Sequence, residues 1–328
     1  MQYTRRDFGK LALAALPAAA VFERVGLIAG TLAQAKPNSL IGSVQIGVIT
    51  YSYRSMPDQT AEATLRYVVD SGISAIELMG GPVESFAGIP SGGGGGGRGR
   101  GAATPEQIAA QQEQARKVRE WRASVSMEPF KRLRKMYNDA GVTIYAWKQL
   151  SPNMSDEEFE YIFTVAEALG CTHTTLELPT DPAQLKRIGD FALKKKIYAA
   201  YHTHTQGSMT AFDQAFALSP GNMANVDFGH YVAAGNIGGT CLQFLQKFHD
   251  RIASFHLKDR TTPERGAQNL PWGSGETPIR EILQTLRKNN WKIPATIELE
   301  YRIPEGSDAV KEVRACLDYC RGVLTTRE

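Results

Sequence analysis

Short β-rich runs and longer runs of helical period take turns from residue 45 almost to the end of this 328-residue chain. The strand-like runs lie at 45–53, 74–79, 142–148, 172–178, 198–204, 224–229, 252–258 and 295–300. Helical period appears over 61–71, 128–140, 156–169, 182–195, 242–249, 279–289 and 309–321. Ser155 opens one of these helices, while Gly141 and Gly170 stop two others. Eight strands, each followed by a helix or its remnant, predict an α/β protein of the (β/α)8 barrel type. The alternative is a doubly wound open sheet, which would normally carry fewer strands. No Gly-x-Gly-x-x-Gly turn follows the first strand, which ends Ile49-Thr50-Tyr51-Ser52-Tyr53.

One stretch interrupts the alternation. After the second strand the chain reads Ser91 and Gly92 through Gly97, then Arg98-Gly99-Arg100-Gly101. So much glycine costs too much backbone entropy to order itself, and a flexible loop is expected. No Gly-Lys-Ser/Thr follows, so it is no phosphate cradle. Residues 105–122 read as a charged helix. The whole insertion is assigned to 82–126 within a barrel spanning 44–323, as a lid over the mouth or as decoration.

Hydrophobic residues make up 42% of the chain, which excludes disorder for most of it. The net charge of +3 falls to +1 once residues 1–35 are set aside, leaving no field to hold a nucleic acid. Those first residues resemble a twin-arginine export signal: Arg5-Arg6, Phe8 and Lys10, then an apolar run from Leu11 to Val21. That run is shorter than the roughly 20 residues that span a bilayer. Ala33-Gln34-Ala35 offers a cut site, while Glu23-Arg24 breaks the apolar run and could leave the segment as an anchor. The expected location is periplasmic or exported, with no stable membrane span in the mature chain. The four cysteines form no C-x-x-C pair and are expected to be core thiols.

The chemistry-bearing residues gather at the ends of the later strands. Strand four carries Glu177, strand five His202-Thr203-His204, strand six Asp227 followed by His230, strand seven His256-Leu257-Lys258, and strand eight Glu298-Leu299-Glu300. Residues two apart share a strand face. Buried charges at such positions need partners, because stripping water from an ion costs several kcal/mol. A divalent cation would offset that cost for the set. A mixed carboxylate and imidazole set without thiolates suits Mn²⁺, Mg²⁺, Co²⁺ or Zn²⁺. The C-terminal ends of barrel strands are where barrel enzymes keep their sites.

Glu177 in Leu-Glu-Leu-Pro, Asp227 with His230, Phe-His-Leu-Lys-Asp at 255–259 and Ile-Glu-Leu-Glu-Tyr at 297–301 resemble the xylose isomerase-like barrels. More narrowly they are similar to the sugar phosphate isomerase/epimerase family, as is Tyr201-His202-Thr203-His204. That resemblance implies a single divalent ion, manganese first, held by Glu177, Asp227, His256 and Glu298, with Glu298 preferred to Glu300. It also implies substrate contacts from His204, His230 and Lys258. Glu177 and Glu298 would be catalytic, removing and returning a proton beside a ketose carbonyl that the ion polarises. The expected activity is a metal-dependent sugar isomerase or epimerase on a small carbohydrate, with homo-oligomerisation left open. The same chemistry would serve an exported 3-keto-glycoside lyase or hydrolase, and a non-catalytic sugar-binding barrel is a further alternative. DNA-repair relatives of this barrel need extra histidines on early strands, and none of the six histidines precedes residue 173.

Overall fold

The computed structural model describes residues 36–90 and 104–326. Its centre is a ring of eight parallel strands: β1 Val44–Ile49, β2 Ala75–Met79, β3 Thr143–Lys148, β4 His173–Glu177, β5 Tyr198–His202, β6 Asn222–Asp227, β7 Ile252–Leu257 and β8 Ala295–Ile297. Each pairs with the next in order, and β8 pairs with β1, which closes the barrel. The predicted (β/α)8 architecture is therefore what the chain adopts. The expected export signal at 1–35 and the glycine-rich stretch at 91–103 lie outside the described residues. Among those described, no helix is long and apolar enough to cross a membrane.

Helices pack around the ring in chain order: α1 Ala61–Asp70, α2 Gly80–Phe86, α3 Pro105–Ser124, α4 Glu128–Asp139, α5 Asp156–Leu169, α6 Pro182–Lys195, α7 Asp213–Leu218, α8 Phe228–Ala233, α9 Cys241–Phe248, α10 Ile279–Asn289 and α11 Ala309–Thr325. Their apolar faces follow helical spacing. In α10 the buried residues are Ile279, Ile282, Leu283 and Leu286, and in α11 Val313, Cys316, Leu317 and Cys320 share the inward stripe. All four cysteines are buried free thiols, as expected of core residues. The helix punctuation also holds. Ser155 and Glu158 form a capping box at the start of α5, and Gly170 ends it at a φ of 79°.

Helix α3 lies within the stretch that the sequence assigns to an insertion. Thr104 and Gln107 cap it reciprocally, and it buries none of its residues. Its C-terminal end is held by Arg122, which grips both oxygens of Glu84 at 2.9 and 3.1 Å and reaches Glu158 at 3.2 Å. Trp121 meets Tyr161 edge-on.

Four strands end two or more residues before the sequence reading, the first of them β1, which stops at Ile49 where Thr50–Tyr53 winds into a 3₁₀ helix. Strand β5 stops at His202, so Thr203 and His204 lie past the last ladder pair. Strand β6 stops at Asp227 because its Oδ1 accepts the His230 backbone N–H at 2.7 Å and starts α8. Strand β8 ends at Ile297, which leaves Glu298 and Glu300 beyond the pairing.

Inside the ring, the register between β2 and β3 slips at Ile76/Glu77, opposite Ile144 and Ala146, and Tyr145 is the extra residue. Its hydroxyl meets Thr296 across the barrel at 2.8 Å. Trp147 instead packs outward, edge-on to Tyr161 of α5. Gly47 on β1 makes the room: a Cβ there would come within 2.6 Å of the Tyr145 hydroxyl.

Candidate metal centre

Side chains from three strand ends and the start of the loop after β8 converge at one mouth of the barrel. His202, Asp227, His256 and Glu298 each offer a ligand atom, and these atoms all lie within 4.8 Å of one another. All four residues are buried. Three of the four predicted ligands are thus brought together, with His202 as the fourth donor. Glu177 stands outside this group. Its half-exposed carboxylate lies between Lys148 Nζ at 3.0 Å and His204 Nε2 at 3.1 Å. Between the two candidate glutamates of the last strand the geometry favours Glu298, whose Oε2 sits 2.8 Å from His256 Nδ1. Glu300 lies on the far side of Lys258 and accepts from its Nζ at 2.7 Å.

The donor set tests well for a cation. Asp227 Oδ2 is fully buried and has no hydrogen-bond donor in register. Its nearest positive group is Lys258 Nζ at 3.0 Å, an ion pair without hydrogen-bond alignment. A buried carboxylate oxygen left this way is costly unless a cation serves it. Two carboxylates with two imidazoles make a set suited to a divalent ion of intermediate hardness.

Charge in the site is sharply divided among the groups. Burial would lower the His256 pKa, but Glu77 and Glu298 on its two nitrogens outweigh that and raise it to about 10. Burial and the neighbouring His256 push His202 down to about 3, and burial with Lys258 does the same for His230. Lys258 loses by burial and gains more from Asp227, Glu298 and Glu300, so its ammonium is held firmly charged. Burial works against ionisation of Glu177, yet the hydrogen bond from His204 and the charge of Lys148 bring it down to about 2.

The predicted substrate contacts line the same mouth. The rings of His204 and His230 are 4.8 Å apart. His230 Nδ1 faces the Arg260 guanidinium at 2.5 Å and its Nε2 faces Lys258 Nζ at 3.1 Å. The loop beyond β7 is tied down by Asp259, whose carboxylate accepts backbone N–H bonds from Gly273, Gly275 and Thr277.

Two buried groups escaped the sequence reading. His202 was legible in Tyr201-His202-Thr203-His204 as one of two residues sharing a face, with no signal to rank it above His204. Glu77 sits on an early strand, fully buried, where it accepts from Thr175 Oγ1 at 2.6 Å and from His256 Nε2 at 2.8 Å. Its only trace in the sequence is a lone acid inside Ala75-Ile76-Glu77-Leu78-Met79.

Deeper in the barrel, His173 is held neutral by burial, with its pKa lowered to about 4, and its Nε2 meets Ser254 Oγ at 2.9 Å. Between an unfolded value near 6.5 and the folded value, the unfolded chain binds the extra proton. Stability therefore falls as pH drops through that interval, by on the order of 3 kcal/mol in full. Urea midpoints measured at pH 7 and pH 5 are expected to show this slope in the wild type and a shallower one in His173→Gln. Equal slopes in the two proteins would contradict the assignment.

The fold and the mouth define a barrel built to gather carboxylates and imidazoles around one point. The family model described as the xylose isomerase-like TIM barrel matches residues 114–320, and the chain belongs to that family. No curated protein matches the sequence. Among solved structures, a sugar phosphate isomerase/epimerase from Parabacteroides distasonis is 15% identical with a TM-score of 0.57, over 90% of this chain and 98% of that one. The 3-keto-D-glucoside 4-epimerase of E. coli is 14% identical with a TM-score of 0.56, over 85% and 99%. A probable 3-DHS dehydratase from Bacillus anthracis is 15% identical with a TM-score of 0.57, over 87% and 100%. At these identities the likeness is one of fold.

Proposed function

We propose that this protein is a divalent-metal-dependent isomerase or epimerase of a small carbohydrate that carries a ketone. The observation that carries the reading is the buried group of His202, Asp227, His256 and Glu298 at the strand ends, with Asp227 Oδ2 lacking a hydrogen-bond donor. A divalent ion held there would act as a Lewis acid toward a ketone oxygen and so acidify the neighbouring C–H. The chain's own groups do the rest.

Glu177 is the base on the open side. It is ionised at neutral pH, and its two donors, Lys148 and His204, restrain its basicity. Substrate hydroxyls that draw those donors away raise its proton affinity toward the range where a general base works well. Glu298, on the buried side, takes the complementary role of returning the proton. His204, His230 and Lys258 orient hydroxyls, with Lys258 already fixed between Glu298 and Glu300 at 2.9 and 2.7 Å.

Proton–deuterium exchange in D₂O tests this against a panel of ketoses and 3-keto-glycosides. Exchange is expected beside the ketone, lost on chelation, restored by Mn²⁺, and reduced by about 10²-fold or more in Glu177→Gln. Release of a glycosidic leaving group along with exchange would turn the reading to β-elimination. No exchange with any compound, despite a bound ion, would favour a sugar-binding barrel without turnover.

A further inference from the structure

Both histidines of the metal group depend on one carboxylate that does not belong to it. Glu77 lies inside the barrel on β2, fully buried, and accepts from His256 Nε2 at 2.8 Å and Thr175 Oγ1 at 2.6 Å. An ionised carboxylate only accepts, so His256 carries a proton on Nε2 where it faces Glu77, and any proton a metal displaces must come from the other nitrogen. The nitrogen left toward Asp227 and Glu298 is Nδ1, at 4.0 and 2.8 Å from their oxygens.

The second histidine is reached through an amide. Asn225 Nδ2 points at Glu77 Oε2 at 3.4 Å and at Ser254 Oγ at 2.7 Å. Because Glu77 cannot donate, the amide of Asn225 is turned with Nδ2 toward it and Oδ1 away. That Oδ1 meets His202 Nδ1 at 3.1 Å, so Nδ1 is the protonated nitrogen of His202 and Nε2 is left for a ligand.

We propose that Glu77 is a positioning residue of the metal site, which sets the ring orientation and tautomer of His256 directly and of His202 through Asn225. It touches neither substrate nor ion. A carboxylate behind a liganding histidine typically accounts for about 10–100-fold in metal affinity. Here a single one stands behind two.

The proposal rests on the metal-dependent reading, and the test separates the two. In the metal-free protein at neutral pH, ¹⁵N shifts of the imidazoles are expected to show Nδ1–H at His202 and, at His256, an imidazolium that keeps Nε2–H when diamagnetic Zn²⁺ displaces its Nδ1 proton. In Glu77→Gln the amide can donate as well as accept, so both assignments should lose their bias. Mn²⁺ affinity by calorimetry should fall by about 10–100-fold in that variant. Thr175→Val, which removes a donor to Glu77 and keeps its charge, should bind Mn²⁺ within a few-fold of wild type.

A merely structural Glu77 would lower the melting temperature and leave the nitrogen shifts and the affinity unchanged; that result overturns the proposal. Should Glu77→Gln fail to fold, Asn225→Leu carries the test, with His202 alone expected to lose its Nδ1–H signature. Wild-type shifts at His202 in that variant overturn the proposal equally. If wild-type protein takes up no Mn²⁺, the metal reading fails, while the shifts in metal-free protein still decide the part played by Glu77.

Discussion

Glu298→Gln should bind Mn²⁺ far more weakly and turn over on the order of 10³-fold more slowly, with the barrel intact. Glu298 is the one member of the metal group that also serves as a proton carrier in the proposed reaction, so its loss removes two functions together. The substitution keeps volume and shape. Lys258 retains Asp227 and Glu300 as partners at 3.0 and 2.7 Å, which limits the structural damage. Calorimetry with Mn²⁺, exchange rates in D₂O and the far-ultraviolet spectrum would be read side by side. A variant with wild-type affinity and wild-type exchange would remove Glu298 from the mechanism. The same substitution at Glu300 is the useful contrast, because that residue lies beyond Lys258 and outside the metal group.

Lys258→Met is expected to cost about 3–5 kcal/mol of stability in chelated protein. The ammonium is buried among Asp227, Glu298 and Glu300, and its removal leaves carboxylates in the barrel mouth without their nearest cation. A divalent ion bound to the folded state should restore part of the loss, since binding at 1,000 times Kd contributes about 4 kcal/mol. Urea titrations with chelator and with excess Mn²⁺ would show a larger gain from the ion in the variant than in the wild type. If the variant is as stable as wild type without the ion, Lys258 is not the cation that offsets this cluster.

The architecture was readable because strand and helix periods are local properties of the chain. Eight alternations leave few ways to bury both faces of a parallel sheet, and the caps stand where a hydroxyl acceptor (Ser155) and a left-handed backbone (Gly170) are needed. Asp227, His256 and Glu298 were readable because each stands at a strand end in a recognisable motif. The rest depended on contacts that no local pattern carries. Glu77 matters through His256, which is 179 positions away in the chain. His202 and His204 are equivalent by alternation, and only the end of the β5 ladder at His202 separates the buried ring from the half-exposed one. The extra residue at Tyr145 is invisible to a period-two count, which would turn Trp147 into the barrel instead of toward Tyr161. Glu177 was drawn into the metal set by its motif, and in the folded chain it keeps company with Lys148 and His204.

Asp227 is anchored at one end of its carboxylate and open at the other. Oδ1 begins a helix and Oδ2 looks into the mouth, so the side chain cannot swing to follow a differently shaped guest without unwinding α8. A scaffold tethered at that corner can diversify only on its freer flank, where Glu177, His204 and Glu300 border solvent. New substrates for such a barrel would be won by rewriting that rim while the anchored corner stays as it is.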